Sequence, residues 1–325
     1  MTKRKPIKVK RFSVGINRTH LYIVFKKTNT MEENKYFKIL SQYNTDIDDE
    51  IVRRRVETLL ANHIEENFTR DVKLFLLNSV ELTSLKTTDN EDSILAMIEK
   101  VNKFDDVYPE LGHVSTVCVY PNFAKVCHDA LENEEIEIAC VSGCFPSSQS
   151  FIEVKIAETA LAIKEGATEI DMVIPVGKFL AGDYEGMCDE IEEIKSVCGE
   201  RPLKTILETG CLKTGANIKK AAILAMYAGA DYIKTSTGKL TPAATPEAAF
   251  VMCEAIKEYY EKTGIQIGFK PAGGMKTVKD AIIYYTIVKE VLGKKWLTNK
   301  LFRLGTSSLA NLLLSDITGK EVKFF

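Results

Sequence analysis

Asp231-Tyr-Ile-Lys-Thr-Ser-Thr-Gly-Lys239 is a short apolar run that closes on a lysine, and Ile267-Gly-Phe-Lys-Pro-Ala-Gly-Gly274 repeats the arrangement. The two lysines, Lys234 and Lys270, are 36 residues apart, about one strand–helix–strand unit. A lysine inside a buried strand is costly unless its ammonium has a partner or a task. Carried on neighbouring parallel strands, each ammonium sits in the field of the other. Like-charge repulsion and burial both lower an amine's pKa, and a neutral amine attacks carbonyls. The pair predicts Schiff-base chemistry inside a barrel or sheet.

The same rhythm runs outward in both directions. Strand-like runs centre on 78–82, 115–119, 136–141, 170–174, 205–207, 232–235, 267–270 and 302–305. Helical periodicity fills the intervals at 93–104, 124–131, 150–164, 184–197, 218–227, 246–262 and 278–291, with a last short stretch at 308–314. Eight alternating units predict right-handed parallel connections and closure into a (β/α)8 TIM barrel. No Gly-x-Gly-x-x-Gly follows the first strand, which argues against a dinucleotide fold. Residues 1–70 differ: they are charged, poor in glycine and without the rhythm. They read as an N-terminal extension, partly helical, on a catalytic barrel of residues 71–325. A loose helical period through Ile51, Val52, Val56, Leu59, Leu60 and Ile64 predicts one extra helix packed on the barrel.

Composition narrows the class. At 325 residues and 45% apolar content the chain is long enough for a single large barrel. A net charge of −2 argues against general nucleic-acid binding, and no apolar run is long enough to cross a membrane. Eight cysteines lie at irregular spacing without a secretory segment, so they read as reduced thiols of a cytoplasmic protein. Cys140-x-x-x-Cys144 lacks a second Cys/His pair at ligand spacing, and no metal site is expected. Lys3, Arg4, Lys5, Lys8, Lys10 and Arg11 read as a solvated tail, with a nuclear or organellar address as the alternative.

In such a barrel the chemistry gathers at the C-terminal ends of the strands. Side-chain alternation puts Tyr232, Lys234 and Ser236 on one face of the sixth strand, with Glu169, Asp171 and Val173 on the fourth and Lys204, Ile206 and Glu208 on the fifth. Charges at every second position of apolar strands mark a polar interior. Asp171, flanked by Ile170 and Met172, needs a cation, which Lys204, Lys234 or Lys270 can supply, and it reads as the acid/base. Gly238-Lys239, Gly273-Gly274 and Gly305-Thr-Ser-Ser308 follow the last three strands. Loops at those positions carry the usual phosphate site of this barrel, so a phosphorylated substrate is expected.

These segments resemble the deoxyribose-phosphate aldolases, class I aldolases with a (β/α)8 barrel. The resemblance rests on Val117-Cys-Val-Tyr-Pro121, Gly166-Ala-Thr-Glu-Ile-Asp-Met-Val173, Leu203-Lys-Thr-Ile-Leu-Glu-Thr-Gly210, Ala228–Lys239, Gly268–Gly274 and Phe302-Arg-Leu-Gly-Thr-Ser-Ser308. It covers roughly residues 76–315, and the long extension resembles that of eukaryotic members. The resemblance implies reversible cleavage of 2-deoxy-D-ribose 5-phosphate to D-glyceraldehyde 3-phosphate and acetaldehyde, without metal or organic cofactor. It implies the imine on Lys234, a pKa-lowering role for Lys270, acid/base work by Asp171 with a water, and support from the charge of Lys204. It further implies a 5-phosphate held by Gly238, Lys239, Gly273, Gly274, Gly305, Ser307 and Ser308, with Cys118 near the mouth where substrate enters. Family barrels often form homodimers.

Two departures stand out. Val80-Glu-Leu-Thr-Ser-Leu85 has Glu81 where the family usually has aspartate, a change expected to shift a hydrogen bond with Thr83. The chain also ends Phe324-Phe325, where bacterial relatives end in tyrosine. Both bear on rate more than on reaction. A related aldolase or transaldolase on another phospho-sugar is the neighbouring alternative. A catalytically silent phospho-sugar-binding barrel would be expected to lack Lys234, Lys270 or Asp171, and all three are present.

Overall fold

The computed structural model describes residues 11–17, 20–26 and 35–325. Residues 1–10, which hold most of the basic stretch, lie outside the described residues. An antiparallel hairpin, β1 (Arg11–Asn17) and β2 (His20–Lys26), comes first in the chain. It was not expected from the sequence, although Phe12, Val14 and Ile16 alternate along β1 and residues 21–25 of β2 form a continuous apolar run. Three helices follow: α1 (Lys35–Leu40), α2 (Asp49–His63) and α3 (Arg70–Asn78).

α2 is the expected extra helix. Asp48 caps it, accepting from the N–H groups of Glu50 and Ile51, and its buried Val52 and Val56 lie on the side packed against two barrel helices. Ile51 does not belong to that stripe; it is exposed. The Asp49 carboxylate reaches across to accept the N–H of Gly215 at 2.7 Å, so the extension caps a helix of the barrel. α3 crosses the boundary placed at residue 70 and leads directly into the first barrel strand.

That strand is β3 (Val80–Thr83), followed by β4 (Thr116–Val119), β5 (Glu137–Ser142), β6 (Glu169–Val173), β7 (Leu203–Ile206), β8 (Tyr232–Lys234), β9 (Gly268–Lys270) and β10 (Leu304–Thr306). All pairings are parallel, in the order β10-β3-β4-β5-β6-β7-β8-β9. Bridges from Phe269 to Phe302 and from Ala272 to Gly305 close the ring. The helices between them are α4 (Glu91–Val107), α5 (Ala124–Ala130), α6 (Ile152–Lys164), α7 (Val176–Leu180), α8 (Tyr184–Cys198), α9 (Thr209–Leu212), α10 (Gly215–Tyr227), α11 (Pro246–Thr263), α12 (Val278–Val291) and α13 (Leu309–Thr318). The eight expected strands and eight principal helices are all present, with ends shifted by a few residues.

Local chemistry sets the helix starts. Thr214, Thr245 and Thr277 each accept a backbone N–H of the first turn of α10, α11 and α12, and Pro246 opens α11 where a missing N–H costs nothing. Outward strand residues such as Val117, Ile138, Ile170, Met172, Ile233 and Phe269 pack with helix residues into one core. Cys118, Ala139 and Val141, with Leu85, form a separate small apolar cluster inside the ring. Among the described residues no helix is long and apolar enough to cross a membrane.

Candidate active site

Strand register gathers the charged residues. Lys234 and Lys270 end β8 and β9 as register partners, and Asp171 of β6 faces Lys204 of β7. Glu81 of β3 is level with Gly305 of β10. The alternation expected from sequence holds: Asp171, Lys204, Lys234 and Lys270 all point into the ring, and all are buried.

Asp171 is the hub. Its Oδ2 accepts from Lys234 Nζ at 2.7 Å and from Lys270 Nζ at 2.6 Å, while Oδ1 lies 3.4 Å from Lys204 Nζ and has no hydrogen-bond partner. Lys270 also donates to Glu81. Lys204 donates chiefly to Glu169, so its link to Asp171 is the weaker of the two. Arg303 completes a lower layer, 3.3 Å from Glu169 and 3.5 Å from Glu81, with a bond to Thr116. Gly305 makes room for this: a Cβ there would come within 3.0 Å of Lys270 Cε and 2.9 Å of Ala272 Cβ.

Glu81 is placed differently from its expected position. The hydroxyl of Thr83 donates to the Glu81 backbone carbonyl at 2.9 Å, and the Glu81 carboxylate goes to Lys270 instead. Glu81→Asp withdraws the carboxylate by one methylene, but Asp171 still anchors Lys270. Turnover is therefore expected to stay within about tenfold, roughly 1.4 kcal/mol of barrier. A larger change in steady-state kinetics would make Glu81 a participant in the reaction. Cys118 is wholly buried, its Sγ within 4.8 Å of carboxylate oxygens of Glu81 and Asp171, not at an open mouth. Burial pushes its thiol up to about 11, which keeps it neutral.

The cluster holds three carboxylates against four cations, Lys204, Lys234, Lys270 and Arg303. Burial opposes ionisation of Asp171, but the surrounding lysines outweigh it and hold the carboxyl well below its usual range. Glu81 is likewise lowered, burial being overcome by Lys204 and Lys270. Burial disfavours the charge on Lys270 and on Lys204. Asp171 and Glu81 reverse this for Lys270, and Glu169, Glu81 and Asp171 do so for Lys204, so both are raised. The signs fix a pH dependence. Lowered carboxyls stabilise the fold above their unfolded pKa and lose that contribution as pH falls through the folded value. Raised lysines stabilise it below their unfolded pKa and lose it as pH rises through theirs. The melting temperature is expected to be flat between about pH 5 and 9 and to fall below about pH 4. Calorimetry across pH checks this, and a maximum near pH 4 would contradict it.

Above the cluster a cleft of about 220 Å³ opens to solvent, walled by Thr83–Lys86, Lys234, Thr237–Lys239, Ala272, Gly273 and Gly305–Ser307. Of the clustered lysines only Lys234 borders it. Gly238 and Gly273 have φ of +76° and +75°, and a Cβ on Gly273 would stand 3.0 Å from Gly238 Cα, so the two loops touch backbone to backbone. The N–H groups of Gly238, Gly274 and Ser307 have no partner among the described residues. Gly274 and Ser308 flank the cleft without lining it. The N–H of Ser308 turns to Thr306 Oγ1, and the Lys239 ammonium bonds the carbonyl of Leu85 across the mouth.

Sequence reasoning did not single out Arg303, Lys86 or Thr237. Arg303 lies two residues before Gly305 and follows the same alternation, which is the signal that finds it. Lys86 adds an exposed cation at the mouth, visible only as a residue following the first strand.

Residues 85–311 match the DeoC/LacD family aldolase model. A deoxyribose-phosphate aldolase of Homo sapiens is 40% identical over 280 residues, covering 82% of this chain and 86% of that one. The Bos taurus protein of the same name is 38% identical over 280 residues, with the same coverage. Among solved structures, the deoxyribose phosphate aldolase of Aeropyrum pernix superposes with a TM-score of 0.61 at 22% identity, over 78% of this chain and 95% of that one, a likeness of fold.

Proposed function

The chain belongs to the DeoC/LacD family of aldolases, and from that membership we propose how its barrel works. It is a carbon–carbon lyase that reversibly cleaves 2-deoxy-D-ribose 5-phosphate to D-glyceraldehyde 3-phosphate and acetaldehyde. The residue roles rest on one observation above all: of the buried lysines clustered on Asp171, only Lys234 faces the cleft.

Lys234 is the nucleophile. Lys270 stays protonated between Asp171 and Glu81 and stands beside Lys234 on the neighbouring strand as a fixed positive charge. The Lys234 nitrogen attacks C1 of the open-chain sugar, and loss of water from the carbinolamine leaves a protonated imine. The C3 hydroxyl gives up its proton as the C2–C3 bond breaks, and the bonding pair moves toward the imine nitrogen to form an enamine. Asp171, ionised and with a free Oδ1, takes that proton directly or through a water. Protonation at C2 and hydrolysis then release acetaldehyde and restore the amine.

The 5-phosphate sits against the N–H groups of Gly238, Gly274 and Ser307, with Lys239 and Lys86 adding positive charge at the mouth. Residues 1–70 form the extension and 71–325 the catalytic unit. The proposed setting is the cytoplasm and the proposed assembly a homodimer, for which exposed Val154 and Leu161 on α6, with Phe151 just before it, form a suitable face. A monomer by sedimentation would overturn the dimer.

Borohydride trapping with deoxyribose 5-phosphate, followed by peptide mass spectrometry, tests the chemistry. An adduct on Lys234 supports the assignment and an adduct on Lys270 exchanges the two roles. Absence of any adduct from folded protein overturns the reading.

A further inference from the structure

Glu208 follows β7 and is buried, yet its backbone is left-handed, with φ of +53° and ψ of +59°. That conformation is uncommon for a residue with a side chain of this size, and such outliers collect where the surrounding structure holds them for a purpose. The N–H groups on either side are tied to β8 and the residue after it. Leu207 donates to the carbonyl of Lys234 and Thr209 to that of Thr235, both at 2.9 Å. Between these anchors the Glu208 carboxylate swings over to the next loop. It accepts the hydroxyl of Thr237 at 2.5 Å and, more distantly, its N–H at 3.4 Å.

Thr237 passes the constraint on. With its proton given to Glu208, its oxygen accepts the N–H of Lys239 at 3.1 Å. The turn 237–239 is thus closed from below by one carboxylate. Its middle residue, Gly238, is the one whose N–H is turned free and whose backbone touches Gly273.

We propose that Glu208 is a positioning residue for the phosphate end of the substrate: through Thr237 it holds the turn that presents Gly238 to the phosphate. The proposal rests on the aldolase reading above. It assigns the carboxylate an effect that depends on whether the substrate carries a phosphate. A purely architectural tie between α9 and β8 would affect all substrates alike.

The test compares kcat/KM for 2-deoxy-D-ribose 5-phosphate with that for unphosphorylated 2-deoxy-D-ribose in the wild type, Glu208→Ala, Glu208→Gln and Thr237→Val. For Glu208→Ala and Thr237→Val the ratio is expected to fall about tenfold or more, mostly through KM, with deoxyribose itself within about threefold. Glu208→Gln keeps an acceptor for the Thr237 hydroxyl and is expected to hold the ratio within about threefold of wild type. If Glu208→Ala fails to fold, Thr237→Val, which removes one hydroxyl, carries the comparison. Equal losses on both sugars, an unchanged ratio, or a glutamine variant as impaired as alanine would each overturn the proposal. A wild type that turns over neither sugar removes the aldolase reading and this proposal together. Turnover without a phosphate-selective loss removes this proposal alone.

Discussion

Exchanging Lys234 for methionine is expected to lower kcat/KM for deoxyribose 5-phosphate by about 10⁴-fold or more and to abolish borohydride trapping. The size follows from what is removed. Without the amine no imine forms, and the C2–C3 bond has no electron sink. Positioning and phosphate contacts survive, so weak substrate binding should remain measurable by calorimetry. The fold is expected to tolerate the change, because Asp171 keeps Lys270 at 2.6 Å and does not become an unpaired buried charge. Methionine also matches the length and flexibility of the lysine stem. Lys270→Met is the informative contrast: it leaves the proposed nucleophile in place but takes the cation from between Asp171 and Glu81. Trapping should persist there at a reduced rate. A Lys234→Met protein that still traps substrate would move the imine to another lysine.

Asp171→Asn is expected to damage both rate and stability. The substitution keeps shape and volume but removes the one carboxylate shared by Lys234 and Lys270, with Lys204 close by. Four cations would then face two carboxylates in a region with little access to water. Breaking a buried ion pair on one side costs about 3–5 kcal/mol, because the other charge is stranded. Part of that loss is recovered when a lysine sheds its proton, so urea denaturation should show the variant to be more tolerant of high pH than the wild type. Removal of the proposed acid/base is expected to slow turnover by about 10²–10⁴-fold. Rapid-quench measurements separate the two effects: imine formation should continue while carbon–carbon cleavage stalls. Cleavage at the wild-type rate in folded Asp171→Asn would assign the proton transfer elsewhere.

The fold was legible because each strand is a short apolar run and each interval is helical, a periodicity that survives errors of several residues at the ends. The hairpin at 11–26 was not, since two short strands in a charged segment give little to set against the long rhythm that follows. For the site, period-two alternation placed Asp171, Lys204, Lys234 and Lys270 on inward faces, and the register of β6 to β9 brings them into one cluster. What alternation does not supply is which partner each charge chooses. Lys204 prefers Glu169 to Asp171, and Glu81 reaches Lys270 instead of settling beside Thr83. Those choices depend on side-chain reach across the ring between strands distant in sequence. The loops that wall the cleft were legible as glycine positions, but the bond of Thr237 to a left-handed residue 29 positions earlier was not, and no local pattern announces it.

The layer of Arg303, Glu169, Lys204 and Tyr232 is buried and fills the ring beneath the reacting groups. The chamber is therefore blind-ended, with a single doorway that every molecule shares. Departure must then be a queue. The phosphorylated aldehyde, nearest the doorway, leaves first, and the two-carbon fragment on the proposed nucleophile, Lys234, waits behind it for water. In the direction of synthesis the queue reverses, and acetaldehyde must load before its larger partner blocks the way. Product-inhibition patterns should therefore show strict order, with the single doorway reinforcing the order that the covalent bond to the proposed nucleophile already sets.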